Sequence, residues 1–218
     1  MLDLQINQAE QEPTLLFVGA HCDDIEIGCG GTVLALARRY PKARVHWVVL
    51  SSGAEREKEA REAARMLLGP QIDATVRIED FRISYFPAQF ASIKDFFEDL
   101  KKTVAPDVVF THYRNDLHQD HRVASELTLN AFRDHAVLEY EIPKFDGDLG
   151  APSAFVALTE AEVARKVEVL MDVYATQRNK QWFSPETFRG LMRIRGIECN
   201  AADGYAEAFY VRKLRLFA

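Results

Sequence analysis

Only three cysteines occur in 218 residues: Cys22, Cys29 and Cys199. They are too few and too irregularly spaced for a disulfide framework or a structural zinc cage, so a reduced compartment is expected. No uninterrupted apolar run approaches the roughly 18 residues that a membrane helix needs. The opening stretch MLDLQINQAE lacks the basic start and apolar core of a secretory signal. Positive charge is scarce too. Twenty-seven Lys and Arg stand against 33 Asp and Glu, a net charge of -6, and no basic run offsets it. The balance argues against a nucleic-acid partner. The expectation is a cytoplasmic protein with no membrane span.

What is present is globular: 48% hydrophobic and 28% charged residues. Residues 15–20, LLFVGA, form a continuous apolar run of the kind buried on both faces of a sheet. A glycine-rich helix start follows at 28–40. Residues 45–53 read as a second strand, 55–68 as a charged helix stopped by Gly69-Pro70, and 74–86 as holding a ragged third strand. A helix over 92–104, a buried strand over 107–112 and a helix over 119–133 complete the rhythm. Beyond residue 136 come two short strands, a helix opened by Thr159 with Glu162 three residues on, and an alternating C-terminal run. Strand and helix in alternation predict one α/β domain, Rossmann-like, over 1–218. Its mostly parallel sheet carries helices on both faces, and residues 1–12 form a flexible start.

In such a sheet, ligands collect beyond the carboxyl ends of the strands. Two of those ends carry metal-binding side chains. His21-Cys22-Asp23-Asp24 follows the first, and His112, then Asn115-Asp116-Leu117-His118-Gln119-Asp120-His121, follows another. Two histidines and one carboxylate are a common catalytic zinc set with a position left open for water. A second carboxylate that is not a ligand can take the water's proton, and the Asp23-Asp24 pair offers that division of labour. In His118-x-x-His121 one imidazole can ligate while the other faces a substrate carbonyl, with Asp120 holding it charged. Each element has a bland reading. Adjacent aspartates often make a turn or a helix cap, Asp120 can be a first-turn acid, and lone histidines such as His46 and His135 are ordinary. Coincidence of the two clusters at two strand ends favours chemistry.

These motifs resemble the PIG-L/LmbE-like family of metal-dependent N-deacetylases. Ala20-His21-Cys22-Asp23-Asp24 leading into Gly28-Cys29-Gly30-Gly31 is similar to the family's first signature, and His118-Gln119-Asp120-His121 to its second. Arg56 with Glu59, and residues 205–209, match more weakly. The resemblance implies His21, Asp24 and His121 as metal ligands and Asp23 as general base. It makes His118 the electrostatic or acid partner, oriented by Asp120, and turns Arg56 toward substrate. Asp116 and Tyr113 join Arg56 as candidate substrate contacts. The implied cofactor is zinc, with iron, cobalt or nickel open, and the implied partner is a small N-acetylated amino sugar or glycoconjugate. A homo-oligomer whose neighbouring copy completes an open sugar cleft stays open as well.

Two positions depart from the family pattern. Cys22 replaces a proline and reads as a small packed thiol rather than a soft extra ligand. Ile25 replaces a glutamate, with Glu26 one place later. Rival readings are a non-haem iron oxygenase using the same two-histidine, one-carboxylate set, and a non-catalytic nucleotide-binding protein using Gly28, Gly30 and Gly31 as a phosphate cradle. The glycines lie too far from the strand end for the cradle and read better as close-packing positions.

Overall fold

The computed structural model describes residue 6 and residues 12–215, so the stretch expected to be flexible falls almost wholly outside the described residues. β1 (Thr14–Gly19) is the hub. Its six residues TLLFVG are all buried, and their side chains alternate between two cores, with Leu15 and Phe17 on one side and Leu16 and Val18 on the other. β2 (Arg44–Val49) and β4 (Val108–His112) lie parallel on its two flanks, β3 (Asp73–Ile78) beyond β2, and β5 (Ala136–Tyr140) beyond β4. β6 (Ala154–Leu158) and β7 (Tyr205–Lys213) extend this edge antiparallel, giving the order β3-β2-β1-β4-β5-β7-β6. This is the mostly parallel α/β sheet expected.

Helices cover both faces. α1 (Asp24–Arg39), α2 (Ala54–Leu68), α5 (Glu160–Val173) and α6 (Pro185–Glu198) close one core, while α3 (Phe90–Thr103) and α4 (Gln119–Ala131) close the other. α5 begins on the capping box expected of Thr159 and Glu162. α6 is the element that the sequence reading passes over. Ser184 caps it and Pro185 opens it, yet Gly190 and Gly196 break the helical pattern. Gly196 serves packing: a Cβ there would come within 2.2 Å of the Gly204 carbonyl oxygen.

α1 starts at Asp24 rather than at the glycines, and kinks at Cys29, where φ is -147°. The kink turns the chain past the sheet, and the glycines allow it. A Cβ on Gly28 would meet the Tyr140 ring at 2.2 Å, and one on Gly31 would meet Leu158 at 2.5 Å; Gly30 is under no such constraint. Kinking frees the amides of the second half of α1, and Glu207 of β7 takes them: its carboxylate accepts from Gly31 N at 2.9 Å and Thr32 N at 2.6 Å. Lys166 neutralises that buried carboxylate at 2.6 Å. The anion position a phosphate cradle would offer is thus filled by the protein itself, which removes the nucleotide reading's physical basis.

Candidate metal centre

Because β1 and β4 are neighbours, their carboxyl ends bring the two clusters together across about a hundred residues. The β1–α1 turn supplies His21, Cys22 and Asp23; Asp24 opens α1; His118 is the N-cap of α4, and Asp120 and His121 lie in its first turn. Among the described residues two overlapping groups have metal-ligand spacing, His21–His118–His121 and Asp24–His112–His121.

The three ligands that the resemblance implies draw on both groups, and hydrogen bonds turn them toward one another. His21 Nε2 lies 3.1 Å from Asp120 Oδ2, an acceptor, so the proton sits on Nε2 and Nδ1 carries a lone pair. His121 Nδ1 lies 2.9 Å from Asp116 Oδ2, which leaves the lone pair on Nε2. These two free nitrogens are 3.2 Å apart. Asp24 completes the triangle, Oδ2 at 3.3 Å from His21 Nδ1 and Oδ1 at 3.5 Å from His121 Nε2. A tetrahedral zinc with bonds near 2.1 Å needs ligand–ligand edges of about 3.4 Å. Two ring nitrogens and the two Asp24 oxygens at that spacing suit a divalent cation, which would take the place of any proton held between them.

Electrostatics agree. Burial would lower the His21 imidazole, but Asp24, Asp120 and Asp23 outweigh it and push His21 up to about 9. Burial, with His112 alongside, takes His121 down to about 3. Burial would raise the Asp24 carboxyl, yet His121, His112 and His21 hold it well below the usual range. The pocket is built around positive charge at one point.

The neighbouring acids divide their work. Asp23 occupies the N-cap position of α1 without capping it; its Oδ1 instead accepts from Arg56 Nη2 at 2.7 Å. Burial pushes the Asp23 carboxyl up and Arg56 opposes it, so Asp23 keeps proton affinity suited to a base. Arg56 therefore faces Asp23. Three residues on, Glu59 anchors the segment after α5, accepting from Thr176 N at 3.1 Å and Thr176 Oγ1 at 2.5 Å.

Asp120 departs from its expected partner. Its carboxylate accepts from Ser84 N (2.5 Å), Phe86 N (3.1 Å) and His21, and only its amide reaches His118, donating to Nδ1 at 3.2 Å. The carboxylate orients a candidate ligand, while the amide fixes the His118 tautomer with its proton on Nε2. Asp116 departs as well. Oδ1 accepts from His118 N at 2.8 Å and Oδ2 from His121 and Lys144, so both oxygens serve the protein's own groups instead of a substrate. Tyr113 stacks on Tyr210 at 3.7 Å, a pairing with β7 rather than with the candidate ligands. Tautomers and side-chain partners of this kind leave no trace in spacing.

Partners of other residues emerge only here. His112, the last residue of β4, stacks on His121 at 4.0 Å. Its Nε2 lies 2.9 Å from Ala20 N, 3.1 Å from Asp24 Oδ2 and 3.3 Å from the Tyr140 hydroxyl. Position at a strand end is the signal that pointed to it. Cys22 is fully buried, its thiol turned to Ser52 Oγ at 3.1 Å, and burial pushes it up to about 12. It is a packed thiol. Ile25 is core, and Glu26 accepts from the Tyr174 hydroxyl at 2.5 Å, a local structural role.

With that geometry in view, comparison with known proteins is decisive at family level. The family model described as PIG-L, GlcNAc-PI de-N-acetylase, matches residues 16–132, more than half of the chain and both clusters. The chain belongs to this family. An uncharacterized deacetylase of Escherichia coli K12, YaiS, is 30% identical over 151 residues, covering 63% of this chain and 78% of that protein. Among solved structures, the N,N'-diacetylchitobiose deacetylase of Pyrococcus horikoshii superposes with a TM-score of 0.65 at 19% identity, over 91% of this chain and 83% of that one. GalB, the 4-carboxy-2-hydroxymuconate hydratase of Pseudomonas putida KT2440, superposes with a TM-score of 0.70 at 18% identity, over 94% and 98%. Those two likenesses establish the PIG-L fold for this chain and nothing finer. No helix among the described residues is long and apolar enough to cross a membrane.

Within this PIG-L site His118 is half-buried, and its Nε2 has no hydrogen-bond partner among the described residues. Its rings stand 4.9 Å from His21 and 4.6 Å from His121. A donor so placed suits an acyl oxygen. His118→Ala is expected to keep bound metal and lose about 10²–10³-fold in kcat. Metal analysis beside steady-state kinetics checks both halves.

Proposed function

We propose that the protein is a zinc-dependent hydrolase that removes the acetyl group from an N-acetylated amino sugar or its conjugate. One observation carries the reading: donor atoms of His21, Asp24 and His121 converge at metal spacing, with the Asp23 carboxylate and the His118 imidazole beside them. A divalent ion held there supplies Lewis-acid activation of water and of the amide carbonyl. Asp23, steadied by Arg56, accepts the proton as water attacks the acetamide. His118 donates a hydrogen bond from Nε2 to the oxygen where negative charge develops, and Asp23 passes the proton it took from water to the leaving amine. Asp120 and Asp116 keep His21 and His121 turned so that their lone pairs meet.

Family membership and a deacetylase relative support hydrolysis of an N-acetyl group. The hydratase sharing this fold is the reason to test the bond rather than the scaffold. Zinc-reconstituted protein is expected to release acetate from at least one of a panel of N-acetylated hexosamines, their phosphates, disaccharides and glycolipids. A chelator should abolish release and added zinc restore it. Turnover should be indifferent to oxygen, unlike an iron oxygenase. Absence of acetate across the panel, with metal bound, would overturn the reading.

A further inference from the structure

We propose that Lys144 is a positioning residue of the metal centre, holding Asp116, and through it His121, in the orientation that aims Nε2 at the ion. The inference rests on the metal reading of His121. Lys144 lies between β5 and β6, in a segment with no sequence motif, yet its side chain is nearly buried. Its ammonium donates to Asp116 Oδ2 at 3.0 Å and to Asp148 Oδ2 at 2.5 Å. Asp116 Oδ2 is the same atom that holds His121 Nδ1 at 2.9 Å. Asp148 Oδ2 in turn accepts from Leu117 N at 2.8 Å, tying the two loops together. The result is a chain from Asp148 through Lys144 and Asp116 to His121.

A carboxylate behind a metal-bound histidine sets the ring's tautomer and direction, and the carboxylate must itself be held. Here two buried carboxylates, those of Asp116 and Asp148, share one ammonium. Removing the ammonium leaves like charges facing one another in a poorly solvated place. Asp116 relieves that by turning away, which spoils its contact with His121. The backbone of the same loop is secured independently, since Arg122 Nη1 donates to the carbonyls of Asp116 at 3.0 Å and Leu117 at 2.6 Å. Loss of Lys144 is therefore a change in charge and aim more than a collapse of the loop.

The test has a built-in sign. If Lys144 were only a positive charge near a cation site, neutralising it would strengthen metal binding. Positioning predicts the reverse. Zinc affinity of Lys144→Met, measured by competition with a chromophoric chelator, is expected to fall about 10–100-fold, the usual cost of losing such an outer partner. Lys144→Gln provides the same reading should the methionine variant fail to fold. Lys144→Arg, which keeps the charge and the reach, should recover most of the affinity. The visible absorption of the cobalt-substituted protein should change in the neutral variants and return toward wild type in Lys144→Arg, which a merely structural role would not produce. Unchanged or tighter zinc binding in a folded neutral variant overturns the proposal. Failure of the wild type to bind zinc would instead overturn the metal centre itself.

Discussion

Asp24→Asn should purify without stoichiometric metal and hydrolyse nothing above background. The substitution is nearly isosteric, so its effect isolates charge. Asp24 closes the triangle with His21 Nδ1 and His121 Nε2, and its Oδ2 also accepts the His21 amide at 2.6 Å, which fixes the turn. An amide in its place offers one neutral oxygen and an NH2 group that competes for the same lone pairs. Outer partners of a metal-bound histidine are worth about 10–100-fold in affinity, and a direct anionic ligand is worth more. Metal content after dialysis and chelator-competition titration measure the loss. An Asp24→Asn protein that still carried one tightly held zinc would remove Asp24 from the ligand set.

Asp23→Asn separates base from ligand. It should bind metal as the wild type does and lose about 10²–10⁴-fold in kcat, the range for a positioned proton acceptor. Arg56 gives the prediction its edge. Its guanidinium lies 2.7 Å from Asp23 Oδ1, and asparagine can keep an oxygen there, so the local geometry should survive. A variant retaining a tenth or more of wild-type turnover would assign the base elsewhere. Loss of metal alongside activity would make Asp23 a ligand rather than a base.

The placement of the site could be read before the fold was known, and the reason is local. β1 and β4 are apolar runs ending in small or polar residues, and histidine and aspartate concentrate just past those ends. A parallel sheet converts that arrangement into one pocket. The helix over Ala54–Leu68 and the capping box of Thr159 and Glu162 were equally legible, since both rest on spacing within a few residues. Contacts that act across the chain were not. Asp120 looks in sequence like the companion of His118, two residues away, but its carboxylate meets His21, ninety-nine residues away. Asp116 looks like a free acid in a loop, yet both its oxygens are taken. Lys144 lies in a segment with no motif, and the weakly matching run 205–209 gives no hint that Glu207 receives the amides of α1. α6 was hidden because its glycine at 196 answers to the backbone of Gly204 and not to helix formation.

Glu207 has a consequence for how the protein is made. Synthesis runs from the N-terminus, and domains can begin to fold as they emerge. Every candidate ligand has left the ribosome once residue 121 is out. The carboxylate that receives the Gly31 and Thr32 amides arrives eighty-six residues later, on the strand inserted between β5 and β6. Until then the second half of α1 has no anion at its start and the sheet lacks its antiparallel edge. A nascent chain thus exposes every candidate metal-binding side chain well before the strand arrives that caps the second half of α1 and completes the sheet's antiparallel edge.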